Sequence, residues 1–265
     1  MENYKLNLYL LKDKKVHKIS CSEAADKKIV SGKIIAYYLA RVQQLYEKYG
    51  FQNEKLRFRE LEEEARAFYA KETWDFEIQT SDEDWVEISA CNYRTDYDMK
   101  RHGEFSKKDF SIKEEGDVEK FIPHIFEIST GIDRTFYLVL DNAFRKEKRG
   151  PEERIFLDLN PKISPYIAGI FPLMKKDGLY EKAHEIWEEL RSWNLDVFFD
   201  EKGSIGKRYA RIDEIGVPFG ITVDYDTLKD GTVTLRDRNS LEQKRVKITE
   251  LQKLLQELEL GKTRF

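Results

Sequence analysis

A carboxylate, a hydroxyl, a glycine and an arginine fall within one octapeptide, Glu127-Ile128-Ser129-Thr130-Gly131-Ile132-Asp133-Arg134. The apolar residues from Phe121 to Ile128 lead into it as a buried strand, and Gly131 opens a helix with Ile132, Phe136, Val139, Leu140 and Ala143 on one side. A glycine at such a corner lets a ligand approach the backbone, a helix N-terminus favours phosphate, and an arginine adds a charge-assisted contact to phosphate oxygens. These residue types in this order point to a nucleotide contact. A plain strand-to-helix corner whose arginine makes a surface ion pair would use the same residues, so the octapeptide alone leaves both readings open.

A second group of charges lies near the other end of the chain. Lys202, Lys207, Arg208 and Arg211 face only Glu201 between residues 201 and 211, and a later strand ends in Arg236-Asp237-Arg238. Clustered Arg and Lys suit phosphate positioning, and Arg and Asp side chains can read exposed base edges. A solvated charged face is the other reading. The four histidines, His17, His102, His124 and His184, stand at no ligand spacing, so no protein metal site is expected.

The elements that must position these groups follow from periodicity. Ser20 to Glu23 reads as a capping box for a short helix ending near Lys28, and Ser31 caps a longer one. Its Ile34, Ile35, Tyr38, Leu39, Val42, Leu45, Tyr46 and Tyr49 paint one face that stops at Gly50. A charged helix is expected from Leu61 to Ala70. Trp74 to Ile78 and Trp85 to Ile88 alternate with period two, giving two antiparallel strands around the turn Ser81 to Asp84. Residues 103–120 read as an exposed polar insertion. The charged stretch from Lys146 to Glu153, with Gly150-Pro151, closes a first unit, placed at 1–157. Beyond it, in a second unit of 158–265, short strands at Tyr166 to Phe171, Val197 to Phe199, Phe219 to Val223, Val233 to Leu235 and Arg245 to Ile248 alternate with helices around Leu179 to Leu190 and Leu251 to Leu258. That pattern implies a compact α/β unit with a mixed sheet.

Composition bounds the function classes. With 40% hydrophobic and 13% aromatic residues the chain has material for cores and no disordered character. Lys+Arg 46 against Asp+Glu 50 leaves a formal charge of −4, so nucleic-acid contact would rest on a local basic surface. No apolar run approaches the roughly 18–20 residues that span a bilayer, and no signal pattern opens the chain. Cys21 and Cys91 lack zinc or disulfide spacing, which fits a reducing compartment, and the expected location is cytoplasmic.

The octapeptide resembles motif 3 of class II aminoacyl-tRNA synthetases in its glycyl form, Glu-Pro-Ser-x-Gly-x-x-Arg. Lys55-Leu56-Arg57-Phe58-Arg59, Trp74-Asp75 and the run from Trp85 through Glu87-Ile88-Ser89-Ala90-Cys91-Asn92-Tyr93-Arg94 to Asp98 are similar to catalytic-core segments of glycyl-tRNA synthetases. Residues 204–211, 213–216 and 230–238 resemble their anticodon-binding domain, in the same order. Departures are Ile128 for the usual proline, Thr130 after the serine, and Ala90-Cys91-Asn92 for Gly-Ile-Ala. These bear on packing against glycine, whose selection depends on leaving no room for a Cβ.

The resemblance implies an α/β chain in which part of an antiparallel-sheet class II catalytic domain precedes a mixed-sheet anticodon-binding domain. It implies a ligase joining glycine to tRNA(Gly) through glycyl-adenylate, with ATP and its Mg²⁺ as substrate. Glu127 and Ser129 would hold the glycine ammonium, with Gly131 giving backbone access. Glu87, Ile88, Gly131, Ile132, Asp133 and Arg134 would contact ATP, Arg134 as the catalytic phosphate contact. Lys207, Arg208, Arg211, Arg236, Asp237 and Arg238 would face tRNA. Family motifs 1 and 2 would precede Lys55, yet residues 1–54 read as helices without the motif 2 pattern Arg-x-Glu. The implied partners therefore include a complementary N-terminal fragment or subunit, with homo-oligomerisation through it. A synthetase-like chain that keeps nucleic-acid binding without catalysis is the alternative.

Overall fold

The computed structural model describes residues 1–113, 115–116, 119–149 and 152–265, which form two compact units, Met1–Asn142 and Ala143–Phe265. Gly150-Pro151 lies outside the described residues. The division falls before the charged stretch that marked it in the sequence.

In the first unit β1 (Lys5–Leu10) and β2 (Lys15–Ser20) form a hairpin, followed by α1 (Cys21–Asp26) and α2 (Lys33–Lys48). Then come β3 (Leu56–Glu60), β4 (Glu72–Gln79), β5 (Trp85–Thr95), α3 (Tyr97–Ser106), β6 (Ile125–Thr130) and α4 (Ile132–Ala143). The sheet runs β2-β1-β3-β4-β5-β6, with β1 and β3 parallel and every other pair antiparallel. Its core face carries Phe58, Trp74, Phe76 and Cys91, all at 0% exposure, under Tyr46 of α2. The Phe58 and Phe76 rings lie 4.7 Å apart and Tyr46 and Phe76 5.1 Å, so aromatic packing locks helix to sheet.

Several expectations are corrected here. Residues before Ser20 are a strand pair, not helix; Leu6, Leu8 and Leu10 alternate with period two and are buried. Ser20 Oγ does accept from Glu23 N at 3.2 Å. The Ser31 cap is absent, because the Ser31 amide donates to Glu72 Oε2 at 2.8 Å and α2 starts after Gly32 without a side-chain cap. Of the α2 stripe, Ile35, Leu39, Val42 and Tyr46 are buried while Ile34, Tyr38 and Leu45 are exposed. Leu61 to Ala70 holds only one 3-10 turn, Glu63–Ala65, in place of the expected helix. The polar insertion begins as α3. The expected buried strand Phe121 to Ile128 is β6 instead, shifted toward Thr130 and half-exposed, because it pairs only with β5 among the described residues.

The second unit begins with the hairpin β7 (Phe144–Arg149) and β8 (Glu152–Leu157), where a charged boundary had been expected. Opposite charges pair across it, Glu147 opposite Arg154, Lys148 opposite Glu153 and Lys146 reaching diagonally to Glu153 at 2.9 Å, and stabilise strands that composition disguises. There follow β9 (Ala168–Pro172), α5 (Leu179–Ser192), β10 (Val197–Phe199), α6 (Ile205–Glu214), β11 (Phe219–Val223), α7 (Tyr225–Asp230), β12 (Thr232–Asp237), β13 (Gln243–Lys247) and α8 (Ile248–Glu259). The sheet order is β10-β9-β11-β12-β13, parallel across β10, β9 and β11 and antiparallel thereafter: the mixed sheet expected. Close packing of β9 and β11 on α6 needs glycine at Gly169 and Gly220, where a Cβ would come within 2.8 Å of Phe171 and 2.5 Å of Tyr209.

Candidate functional site

Register decides which side chains share the face of the first sheet opposite the core. Arg57 and Arg59 of β3 stand opposite Glu77 and Asp75 of β4; Asp75 and Thr73 stand opposite Ala90 and Asn92 of β5; Ala90 and Asn92 stand opposite Ser129 and Glu127 of β6. Period-two geometry puts all of them on one face. A break in register between Phe76 and Glu77 leaves Ile88 as an extra residue in β5, re-aiming Glu87 and Ile88 at the end of the strand.

That end of the sheet meets the start of α4. Glu87, Ile88, Ala90, Ser129, Thr130, Gly131, Ile132, Asp133 and Arg134 line one cleft of ≈ 500 Å³. The Gly131 amide donates to Ile88 O at 3.1 Å, the Thr135 hydroxyl to Gly131 O at 2.8 Å, and Arg134 Nη1 to Glu87 O at 2.9 Å. Arg134 is therefore folded back over the β5 bulge, and among the described residues its other donors have no hydrogen-bond partner. A Cβ on Gly131 would meet nothing nearer than the Arg134 side chain at 3.6 Å, so packing within the chain does not demand the glycine and the space above it belongs to the cleft. From Ile128 to Arg134 every residue is exposed. The structure thus brings together all the expected nucleotide-end residues.

Glu127 lies one row further along β6, outside the lining of the cleft. Its Oε2 accepts from Arg94 Nη1, while Arg94 also grips Asp98 through Nε at 2.7 Å and Nη2 at 2.5 Å and stacks on Tyr69 at 3.9 Å. The hydrogen bonds to Asp98 and then Glu127 hold the Arg94 guanidinium pKa above its ordinary value. Sequence reading assigned Arg94 no role. Its spacing of four from Asp98 at a strand-to-helix junction was the available signal.

The rest of the polar face is self-compensated. Arg59 donates through Nε to Glu77 at 2.6 Å and through Nη2 to Asp75 at 2.8 Å, and Arg57 Nε meets Glu77 at 2.7 Å with its guanidinium 3.9 Å from the Trp85 ring. Burial, with nearby Glu87 adding repulsion, nevertheless pushes the Asp75 carboxyl up to about 6 against the pull of Arg59. A raised folded-state pKa means the folded chain binds this proton more tightly than the unfolded chain. The associated stability is complete below the ordinary value of 3.8 and is lost as pH rises through about 6. Asp75→Asn, which stays neutral, is expected to gain stability relative to the parent on going from pH about 4 to about 8. Its loss of the Arg59 contact applies at both ends, so the sign is read from the difference. Urea titrations in which that difference is zero or negative would refute it.

In the second unit the expected tRNA-facing residues divide. Lys207 is exposed and Arg211 half-exposed, its guanidinium on Asp200. Arg208 is buried and donates to the carbonyls of Pro172, Glu201 and Gly203, with burial drawing its pKa down. Arg236 is buried in a two-pronged pair with Asp213, at 3.0 and 2.9 Å, and lies 4.5 Å over the Tyr209 ring. Arg238, 2% exposed, donates to Gly216 O, Leu159 O and Asp158. Asp237 accepts from the amide and hydroxyl of Ser240, closing a turn. Arg208, Arg236 and Arg238, expected to face tRNA, are thus buried and spend donors on carbonyls and carboxylates inside the fold. Asp213 also takes Arg154 of β8 at 2.9 Å, so one carboxylate ties the hairpin to the sheet. Asp213→Ala should strand two guanidinium groups and lower stability by about 3–5 kcal/mol. Lys207→Ala should change it by less than about 0.5 kcal/mol. Denaturant midpoints that fall together for the two variants would contradict this division.

Residues 168–258 match the family described as Anticodon binding domain. The chain is 33% identical to a glycine–tRNA ligase of Archaeoglobus fulgidus, over 91% of this chain and 55% of that protein. It is 35% identical to one of Methanocaldococcus jannaschii, over 92% and 56%, and 44% identical to one of Clostridium acetobutylicum, over 78% and 44%. It spans about half the length of the curated relatives it matches. The archaeal alignments, at 312 and 324 residues, exceed the 265 residues of the chain, so those relatives carry insertions within the shared region. By these matches, which take in nearly the whole chain, it belongs to the glycyl-tRNA synthetase family, corresponding to the C-terminal half with its anticodon-binding domain.

Proposed function

We propose that this chain supplies one wall of the active site of a glycine–tRNA ligase, together with the domain that docks tRNA(Gly). The observation that carries the reading is the convergence of Glu87, Ser129, Gly131 and Arg134 on one cleft at a sheet end and helix start. In the first step the glycine carboxylate attacks the α-phosphorus of ATP, which enters as its Mg²⁺ complex; a P–O bond forms and the bond to pyrophosphate breaks. In the second the terminal tRNA hydroxyl attacks the adenylate carbonyl and AMP leaves.

Each residue has a task in this scheme. Arg134, with donors unspent beyond Glu87 O, faces the phosphates and balances the charge that grows as pyrophosphate departs. The α4 N-terminus adds its amides, and the backbone of Glu87 and Ile88 lies along the nucleotide. Glu127 and Ser129 hold the ammonium. Arg94 occupies one Glu127 oxygen, Oε2, and so orients the other toward the substrate. In the second unit Lys207 and Arg211 meet tRNA phosphates, while Arg208, Arg236 and Arg238 shape the surface from within. Glycine-dependent ATP–pyrophosphate exchange by the chain, supplemented with the remaining half of the synthetase, tests the reading; exchange that is absent, or independent of glycine, would refute it.

A further inference from the structure

The polar face of the first sheet continues past Glu127 into a cluster of rings. Arg94, which donates to Glu127, holds its guanidinium carbon 3.9 Å from the Tyr69 ring; Phe68 lies 5.2 Å from Tyr69 and 5.8 Å from Tyr97, the first residue of α3. Phe68 is 86% exposed. Both tyrosines stand nearly perpendicular to it, at 75° and 79°, and among the described residues no ring lies flat against it. The loop that presents Phe68 is tied at its base. Arg66 donates through Nε to Leu61 O and through Nη1 to Lys71 O, both at 2.9 Å, and the Lys71 amide donates to Tyr93 O of β5 at 2.8 Å. An apolar ring is thus held out in solvent on a fixed loop, beside the arginine that grips Glu127.

Order along the strands gives that position a meaning. Arg134 and Gly131 mark one end, Ser129 comes next, then Glu127, then Arg94 and the rings. On the reading above, phosphates fill the first end and the glycine ammonium the middle, which leaves the Arg94 flank for the tRNA terminus to bring its hydroxyl to the adenylate carbonyl. Unpaired RNA is held chiefly by stacking splayed bases on aromatic rings. We propose that Phe68, flanked by Tyr97, is a stacking platform for the unpaired terminal base of tRNA, a role that rests on the glycine–tRNA ligase reading. The rings beside Phe68 are tyrosines, and an arginine backs one of them. That border suits a nucleobase, whose rim carries donors and acceptors, better than an aliphatic protein segment.

Two reactions separate the possibilities, both run with the full chain combined with the remaining half of the synthetase. Glycine-dependent ATP–pyrophosphate exchange needs no tRNA and should be the same in Phe68→Ala as in the parent. In glycylation the kcat/KM for tRNA should fall about tenfold, the size of one lost base–aromatic stack. Phe68→Trp, which keeps a stacking ring, should hold the parent value, whereas Phe68→Leu, apolar without a ring, should fall with Ala. A tRNA stripped of its unpaired terminal nucleotides should inhibit parent and Phe68→Ala equally, because it cannot reach the ring. If Phe68 docks a protein segment of the other half instead, Phe68→Leu stays near the parent and Phe68→Ala loses exchange and charging together, which overturns the platform. Unchanged tRNA kinetics in Phe68→Ala, beside a parent that charges, overturn the platform alone. A parent without glycine-dependent exchange overturns the functional reading and the platform with it.

Discussion

Replacing Arg134 by Ala is expected to reduce adenylate formation about a hundredfold or more while leaving the chain folded. The guanidinium is exposed, lies at the first turn of α4, and spends one hydrogen bond on Glu87 O. Its remaining donors face the cleft, where on the proposed reading charge develops on the phosphates as pyrophosphate leaves. Removing one preorganised donor to such a charge loses roughly 2–4 kcal/mol of transition-state stabilisation. Stability should change by less than about 0.5 kcal/mol, because no buried group loses a partner. Arg134→Lys keeps the charge but not the planar fork and should fall between parent and Ala. Pyrophosphate exchange near the parent rate in a folded Arg134→Ala protein would remove the nucleotide-end assignment.

The second large effect is all-or-none. The 265-residue polypeptide by itself is expected to form no glycyl-tRNA from glycine, ATP and tRNA, and activity is expected when the other half of the synthetase is supplied, whether in the same polypeptide or as another. Every residue from Ile128 to Arg134 is exposed, so this wall alone cannot exclude water or clamp both ends of ATP. On the helix behind the cleft Ile132, Phe136 and Tyr137 are 82%, 66% and 62% exposed, a larger apolar surface than an isolated helix start normally shows. In the class II resemblance the α-phosphate and adenine are clamped by motif 2, whose Arg-x-Glu pattern does not occur in the β1–β2 hairpin or the helices after it. Glycylation assays with and without the complementary half decide the point. Robust charging by the isolated chain would refute it.

Local order in the sequence determined the strand-to-helix corner of the candidate site. Ser129, Gly131 and Arg134 were legible because a strand end, a glycine and a helix start are contiguous or nearly so, and contiguity alone brings such groups within a few ångströms; Glu87, on β5, was named from the resemblance and joins them through the pairing of β5 with β6. The strands of the second unit were legible for a similar reason: β9, β10 and β11 are short apolar runs between turn residues, and burial on both faces of β9 and β11 leaves no polar alternation to confuse them.

Tertiary structure decided what depends on register and burial. Asn92 joins Glu127 only because β5 and β6 pair with that offset, and Arg94 reaches Glu127 across the same pair; residues some thirty positions apart carry no local mark of the meeting. The charge of Arg236 and Arg238 read as a surface for nucleic acid, yet Asp213, Asp158 and backbone carbonyls draw both inside, since a buried arginine is tolerated once its donors are satisfied. The hairpin β7–β8 was hidden because lysine and glutamate composition resembles a linker, whereas pairing of Glu147 with Arg154 and Lys148 with Glu153 makes it a strand pair, and β1–β2 owes its place to the buried alternation of Leu6, Leu8 and Leu10. Composition and spacing are properties of one chain segment at a time; which segments lie side by side, and whether a charge ends in water or on a carboxylate, is settled by packing between segments distant in sequence.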